Sequence, residues 1–223
     1  DGTGNTVYQQ LKLNDKKEHV SLVQDAELMN GDITVTFEMA RPMTYMSGAL
    51  VYCRLDENND GYAALVSMGS YGYEDANENY VTTPNSAALY IVKIVNGQIS
   101  GSALATLNIN EFDFTTAHTL NVDMSGWTIT ATIDGESAQS VAYTAAVPRY
   151  GSFGVGTKNL TSVVSFDDVQ YGTSTDASTG ILVATETDNL SDAIDHGFEP
   201  VTGDWAVNEE STGNVAYVQT RVD

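Results

Sequence analysis

The chain has few positive charges, one cysteine and four prolines. Nine Lys and Arg residues stand against 30 Asp and Glu residues among 223, so the formal net charge is −21. A surface this acidic repels phosphate backbones and anionic lipid headgroups, which argues against nucleic acid and anionic membranes as partners. Membrane insertion is not expected either, because no apolar run approaches the roughly 20 residues of a membrane-spanning helix.

The single cysteine, Cys53, excludes a disulfide within the chain. It lies in the apolar run of residues 49–53, which predicts a buried and unreactive thiol. The three histidines have no sequence neighbours that suggest a catalytic triad or a metal centre. The sequence therefore gives little support to catalysis.

Apolar and polar residues alternate with a period of two through most of the chain, and turn residues separate the runs. Ile33, Val35 and Phe37 show the pattern clearly, and Asn96-Gly97 is a strong hairpin signal. About eleven short strands without a convincing helix predict an all-β fold, an antiparallel two-sheet sandwich. Both tryptophans, Trp127 and Trp205, lie in or beside predicted strands and are expected to pack in the core.

The two ends of the chain share a segment. Residues 3–10 and 212–219 agree at five of eight positions, 209 residues apart. The stretch 188–219 has the order of features that opens a β-domain: an acidic turn, Phe198, Gly203-Asp204-Trp205, then a strand with Tyr217. We therefore predict a sandwich lacking its first strands at residues 1–172, a linker at 173–187 and opening strands at 188–223, which resemble the domain's own first strands.

Three arrangements of residues 188–223 are compatible with the sequence. These residues complete the sandwich of their own chain, that of a neighbouring copy, or that of the next repeat in a tandem array. Open edge strands are templates for pairing with another chain. A head-to-tail contact between copies builds a filament when the copies do not close into a ring. The duplicated segment counts against simple closure, because two copies compete for one position. The residues predicted to carry assembly are Phe198, Trp205, Val207 and Tyr217.

A series of short motifs runs along residues 3–171 and restarts at Asp188. In chain order they are Tyr8-x-Gln10, Gly31-Asp32-Ile33-Thr34-Val35, the segment 56–62 ending in Gly61-Tyr62, Leu89-x-x-x-Lys93, His118-Thr119-Leu120-x-Val122, Ile133-Asp134-Gly135, Gly151-x-x-Gly154-Val155-Gly156 and Phe166-Asp167-Asp168-Val169. This order resembles the concanavalin A-like, laminin-G-type jelly roll of extracellular carbohydrate-active and adhesive proteins. The resemblance implies a jelly-roll sandwich, an extracellular or cell-surface location and a role associated with carbohydrate.

The catalytic relatives of this fold carry either a Glu-x-Asp-x-x-Glu strand or a strand with Arg, His and Tyr, and neither occurs in this sequence. Since the fold also hosts lectins and inert spacers, it does not determine function. We expect a non-catalytic structural or adhesive module, or alternatively the carbohydrate-binding module of a secreted polysaccharide-degrading enzyme. The expected partners are other copies of the chain or adjacent repeats, and glycans.

Two acidic groups are candidates for calcium, which prefers carboxylate and amide oxygens. Asp56, Asn58 and Asp60 precede a glycine as in the first half of a calcium loop, and a polar turn is the alternative. The first and last strands of such jelly rolls run side by side, which would bring an acidic turn to the Asp167-Asp168 pair. That turn carries Asp188, Asp192 and Asp195. The alternative is that Asp167 or Asp168 accepts backbone N–H bonds.

The insert at residues 69–86 carries Tyr71, Tyr73 and Tyr80 among Glu, Asp and Asn residues. Sugars stack on aromatic faces while planar polar groups bind their hydroxyls, so these tyrosines are a candidate glycan platform. A loop packed by its own tyrosines and a protein contact are the alternatives.

Overall fold

The computed structural model describes residues 7–10, 17–23, 27–28, 30–42, 46–69, 72–74, 80–82, 86–137, 140–145, 151–160, 163–172, 186–188, 198–200, 205–210 and 214–217. For 7–10, 72–74, 80–82 and the strands after residue 172, the description is that of the backbone pairing. None of these ranges contains a helix long and apolar enough to cross a membrane.

The regular elements of the described ranges are β-strands. In chain order they are β1 (Val7–Gln10), β2 (Glu18–Val23), β3 (Gly31–Met39), β4 (Gly48–Leu55), β5 (Gly61–Met68), β6 (Gly72–Glu74), β7 (Tyr80–Thr82), β8 (Ala87–Val95), β9 (Gln98–Ile99), β10 (Ala105–Ile109), β11 (His118–Ser125), β12 (Thr128–Ile133), β13 (Ser140–Thr144), β14 (Ser152–Lys158), β15 (Val164–Gly172), β16 (Glu186–Asp188), β17 (Phe198–Pro200), β18 (Trp205–Glu210) and β19 (Asn214–Tyr217).

Two large sheets form a sandwich. The nine-stranded sheet has the order β13-β12-β11-β3-β15-β1-β18-β19, with β16 beside β15. The eight-stranded sheet has the order β10-β8-β5-β4-β14-β2-β17, with β9 beside β8, and β6 and β7 form a separate hairpin. Among the described strands, β1 and β19 make the one parallel pairing. The prediction of an all-β, antiparallel two-sheet sandwich is confirmed.

The main hydrophobic core lies between the two sheets. In β3, Ile33, Val35 and Phe37 point into this core with at most 2% exposure, whereas the residues between them are half-buried on the outer side. This alternation follows from the pleat of a strand, whose successive side chains point to opposite faces. Phe153 of β14 and Phe166 of β15 bring the two sheets together in the same core.

The central strands β4, β5 and β8 of the eight-stranded sheet are largely buried on both faces. Every residue of β4 is buried. Cys53 belongs to the core between the sheets, whereas Leu50 packs in a second apolar cluster on the outer side. Leu50 pairs with Leu65 and Leu65 with Tyr90, so this outer cluster extends across β4, β5 and β8. Cys53 is fully buried, which confirms the predicted burial of the thiol. Burial raises the pKa of this thiol to about 12, which disfavours the reactive thiolate.

Strand β14 approaches both of its neighbours closely at two glycines. A Cβ atom on Gly154 would lie 2.0 Å from the carbonyl oxygen of Ser21. A Cβ on Gly156 would lie 2.4 Å from the carbonyl oxygen of His19 and 2.6 Å from Cε2 of Tyr52. Neither position has room for a side chain, so the Gly-x-Gly of the sequence motif is a requirement of packing.

The tail strands lie beside the first strands of the same chain. β17 pairs with β2, and β18 pairs with β1. One edge of β15 pairs with β3, and its other edge is divided between β1, at Val164 and Ser165, and β16, at residues 169–171. Of the predicted linker, Glu186 and Thr187 lie in β16, and the rest lies outside the described residues. The domain boundaries stay predictions.

We expect Gly154→Ala to lower the free energy of unfolding by about 3 kcal/mol or more, because the new methyl group meets backbone that cannot move aside. Gly101→Ala is the control. A Cβ there has no atom within 4 Å, and only its φ of +77° is strained, which costs about 1 kcal/mol. Urea unfolding of both variants measures the difference. Equal losses would contradict the close approach of β14 to β2.

Candidate functional site

The acidic residues between β4 and β5 close a turn. Oδ1 of Asp56 accepts the backbone N–H groups of Asn58, at 2.9 Å, and Asp60, at 3.0 Å. Oδ1 of Asp60 accepts the N–H of Asn96 at 2.7 Å and so joins this turn to the hairpin between β8 and β9. These carboxylates stabilise two turns, as expected for the polar turn that was the alternative to a calcium loop. Calcium at Asp56, Asn58 and Asp60 stays a prediction.

The structure brings part of the second acidic group together. Asp188 pairs with Val169, next to a bulge in β15 at which Asp168 has a φ of 47°. Asp167 is buried, and its Oδ1 accepts the N–H of Asp168 at 2.8 Å. Asp192 and Asp195 lie outside the described residues. Within the described part of the chain, no group of three or more His, Cys, Asp or Glu side chains is arranged to hold a metal ion, so calcium stays a prediction here too.

The tyrosine insert contains the β6–β7 hairpin. Tyr73 pairs with Val81, and Glu74 pairs with Tyr80. Tyr71 lies outside the described residues. The hairpin places Tyr73 and Tyr80 in adjacent residue pairs, and their role as a glycan platform stays a prediction.

Strand β18 takes the same register with both copies of the duplicated segment. Val207 pairs with Tyr8 of β1 and with Tyr217 of β19, while Asn208 pairs with Val7 and with Ala216. Tyr8 and Tyr217 are corresponding residues, 209 positions apart. They also pair with each other in parallel. Of the other predicted assembly residues, Phe198 pairs with Val23 and Trp205 with Gln10.

Trp127 is exposed, so the expectation that it packs in the core is wrong. With 55% of its surface accessible, it is the one exposed large hydrophobic residue in the described ranges. It occupies the second position of the two-residue turn Gly126-Trp127 between β11 and β12, and of these two residues only Gly126 has a positive φ, 56°. Glycine at the first central position is typical of a type II′ hairpin turn. The Gly126-Trp127 pair between two alternating strands carried this signal in the sequence.

Side chains from two other parts of the chain hold this turn. Nη2 of Arg54 donates to the carbonyl oxygen of Gly126 at 2.7 Å, and the N–H of Gly126 donates to Oδ1 of Asn30 at 2.8 Å. Arg54 is near the end of β4, in the eight-stranded sheet; it has no exposed surface and a φ of 55°. Such a φ in a non-glycine residue costs on the order of 1 kcal/mol or more. The turn that carries Trp127 is therefore tied to both sheets.

Two carboxyl groups lie side by side on the outer face of the nine-stranded sheet. Asp32 of β3 pairs directly with Asp123 of β11, and both are half-buried. Burial and then the negative charge of Asp32 raise the pKa of Asp123, while the positive charge of Arg54 acts in the opposite direction. Like charges directly opposite each other destabilise a sheet. A carboxyl group with a perturbed pKa beside a like charge marks a candidate functional position.

Hydroxyl and amide groups line the same outer face. Nδ2 of Asn121 donates to Oγ1 of Thr34 at 2.8 Å, and Oγ1 of Thr132 donates to Oγ of Ser140 at 3.0 Å. We call this surface the polar face; its members are Asp32, Thr34, Asn121, Asp123, Thr130, Thr132 and Ser140. It adjoins the Gly126-Trp127 turn, because β11 and β12 run from the polar face into that turn.

His118, at the other end of β11, is fixed by structural contacts. Its Nδ1 lies 2.7 Å from Oδ2 of Asp134, and its Nε2 lies 2.8 Å from the carbonyl oxygen of Asp113. Its ring stacks on Phe112 with the centroids 4.0 Å apart. These contacts join the loop after β10 to the turn after β12, so His118 serves the fold.

No protein-family model matches the chain, and no curated protein matches its sequence. Several solved structures are similar to it in fold. The carbohydrate-binding module CBM66 from Bacillus subtilis has a TM-score of 0.49 and 14% identity, covering 75% of this chain and 91% of that one. The VIP36 exoplasmic/lumenal domain, in its Ca²⁺/Man-bound form, has a TM-score of 0.48 and 15% identity over 83% and 88% of the two chains.

A Bacillus licheniformis β-glucanase has a TM-score of 0.42 and 12% identity, covering 76% of this chain and 98% of the glucanase. These structures are jelly-roll domains of the concanavalin A-like lectin and glucanase type, the type that the sequence motifs resemble. Both non-catalytic and catalytic proteins are among them. At such low identity the likeness concerns the fold alone.

We expect Asp123→Asn and Asp113→Asn to change the pH dependence of stability in opposite directions. The folded-state pKa of Asp123 is raised above its ordinary 3.8. Its contribution to stability is therefore fully present below pH 3.8 and is lost as the pH rises through the folded pKa. The Asp123→Asn variant should become more stable than the wild type as the pH rises from 3.8 through the folded-state pKa of Asp123, and it should keep this advantage at neutral pH.

Asp113 is the control, because its pKa is shifted in the opposite direction from that of Asp123. Hydrogen bonds from Thr115 lower the pKa of Asp113 below 3.8, so its contribution is present above that pH and is lost as the pH falls through the folded pKa. The Asn variant should therefore lose stability at neutral pH. Urea unfolding between roughly pH 3 and pH 8 measures both variants. A gain for Asp113→Asn, or none for Asp123→Asn, would contradict these pKa directions.

Proposed function

We propose that this chain is a non-catalytic β-sandwich module that binds neutral carbohydrate chains outside the cell or at its surface. The observation that carries the proposal is the polar face of the nine-stranded sheet, with an exposed tryptophan at its edge. In the other sheet, a buried apolar cluster covers much of the outer side of β4, β5 and β8. Hydroxyl, amide and carboxyl groups bind sugar hydroxyls, and an aromatic ring stacks on the C–H face of a sugar. The net charge of −21 disfavours anionic polymers.

Polar groups continue across the sheet face on which the carboxyl pair lies, as an extended binding surface requires. Asp32 and Asp123 lie side by side on one sheet face, and the ladder continues from Asp123 to Thr130 and Ala142. On the outer side of the eight-stranded sheet, the side chains of the second cluster are apolar and buried. The alternative proposal, a carbohydrate-binding module of a secreted polysaccharide-degrading enzyme, shares this site and differs only in what the module is joined to.

We expect the chain to be retarded in native gels that contain a soluble neutral polysaccharide and to release no reducing sugar from it. Gels run with calcium and with a chelator test at the same time the proposed calcium sites, at the Asp167-Asp168 bulge and at the Asp56–Asp60 turn. The absence of retardation with calcium present would contradict the binding function. Hydrolysis that disappears in Asp32→Asn or Asp123→Asn would contradict the non-catalytic assignment.

A second candidate function is assembly of copies by strand exchange. It is favoured by the equal register of β18 with β1 and β19. The β1 of a second copy offers β18 the same residues at the same positions as the β1 of its own chain. A contact of this kind joins the tail of one copy to the head of the next and does not close on itself, so it builds a linear array.

If copies exchange strands, the particle mass should rise with concentration in light scattering, and Val207→Pro should keep the chain monomeric. Proline at position 207 removes a backbone N–H from β18. The control is Val207→Thr, which keeps the N–H and the β-branched shape. A strictly monomeric chain, whose stability survives removal of residues 181–223, would reject strand exchange.

A further inference from the structure

We infer that the Gly126-Trp127 turn, together with Asp32 and Asp123, forms a binding site for a neutral pyranose chain. The inference rests on the proposed carbohydrate-binding function and assigns it a place. The site combines an exposed indole with two half-buried carboxyl groups from neighbouring strands. It lies outside the tyrosine insert that the sequence pattern indicated.

The spacing of these groups suits linked sugar rings. A strand rises about 3.3 Å per residue, so Asp123 lies roughly 7 Å along β11 from Ser125, the last residue before the turn. Asp32 lies directly across from Asp123. One ring stacked on Trp127 therefore leaves the next ring of a chain near the carboxyl pair, whose oxygens accept hydrogen bonds from sugar hydroxyls.

The turn is held in the way that a stacking platform requires. A sugar gains little free energy from one aromatic contact, and ordering a mobile loop would consume that gain. The two hydrogen bonds of Gly126, from buried Arg54 and to Asn30, fix the backbone of the turn before a ligand arrives. Arg54 itself has a strained φ of 55°, and strained residues often lie near functional sites. Arg54 is a positioning residue in this account.

Charge restricts the class of ligand. Asp32 and Asp123 add negative charge beside the indole, on a chain with a net charge of −21. Uronic acid or sulfated polymers would be repelled at this place. The exposed indole favours a ring with an apolar C–H face, as pyranoses have. A neutral pyranose polysaccharide meets both requirements.

The test uses affinity electrophoresis of the full chain in gels containing laminarin, xyloglucan or galactomannan, with polygalacturonate as the anionic comparison. Calorimetry then gives the dissociation constant for the polymer that retards the chain most. We expect Trp127→Ala to weaken binding at least about tenfold, as the loss of a central aromatic contact does. Asp32→Asn and Asp123→Asn should also weaken it. Glu136→Gln, an exposed carboxylate in the turn after β12, should leave it unchanged.

Tryptophan fluorescence reports on the site while the Trp127 side chain is kept. The chain has two tryptophans, so Trp205→Phe leaves Trp127 as the single indole. We expect the polysaccharide to shift and intensify or quench this fluorescence. In the same background, Arg54→Lys should lower the anisotropy of Trp127 and weaken binding, because the turn loses its contact with the guanidinium. An unchanged anisotropy would overturn the positioning role of Arg54.

The results of these experiments distinguish an error in the proposed binding site from an error in the proposed carbohydrate-binding function. If a neutral polysaccharide binds and Trp127→Ala and Asp123→Asn bind it as tightly as the wild type, the site is wrong and the carbohydrate function stands. If no neutral polysaccharide binds the wild type, both are wrong. Binding of polygalacturonate as tight as that of the neutral polymers would overturn the ligand class.

Discussion

The central strands of the eight-stranded sheet are largely buried on both faces, and this burial limits where the molecule can bind a polar ligand. β4 is buried along its whole length, and Leu50, Leu65 and Tyr90 continue a second apolar cluster on its outer side. A surface that is already covered by the protein cannot also present polar groups to a ligand. In the described part of the chain, polar side chains in a regular array therefore lie on the outer face of the nine-stranded sheet.

Arg54 connects this constraint to the candidate site. Its backbone belongs to the buried strand β4, and its guanidinium reaches the Gly126 carbonyl oxygen in the other sheet. A buried charge is stable only when hydrogen bonds and opposite charges compensate it. Gly126 supplies a hydrogen bond, and Asp123 supplies a negative charge nearby. The same residue therefore helps to join the two sheets and holds the turn that exposes Trp127.

Much of the fold could be predicted because alternation depends on neighbours in sequence. The β3 pattern and the buried Cys53 are examples. The segment that follows the Asn96-Gly97 hairpin turn forms two short strands, β9 and β10, which pair separately with β8, and alternation does not indicate this division. Trp127 was placed wrongly because a tryptophan after Gly126 fits both a turn and a strand start. Arg54 could not be found at all, since its partner lies 72 residues away and the contact depends on how two sheets meet.

A crystal structure of the full chain soaked with an oligosaccharide from the polymer that it binds would show whether Trp127 and the neighbouring polar face bind carbohydrate. We expect one sugar ring stacked on the Trp127 indole and hydroxyls of an adjoining ring within hydrogen-bonding distance of Asp32 or Asp123. A sugar bound elsewhere on the molecule, with the Gly126-Trp127 turn empty, would contradict this expectation.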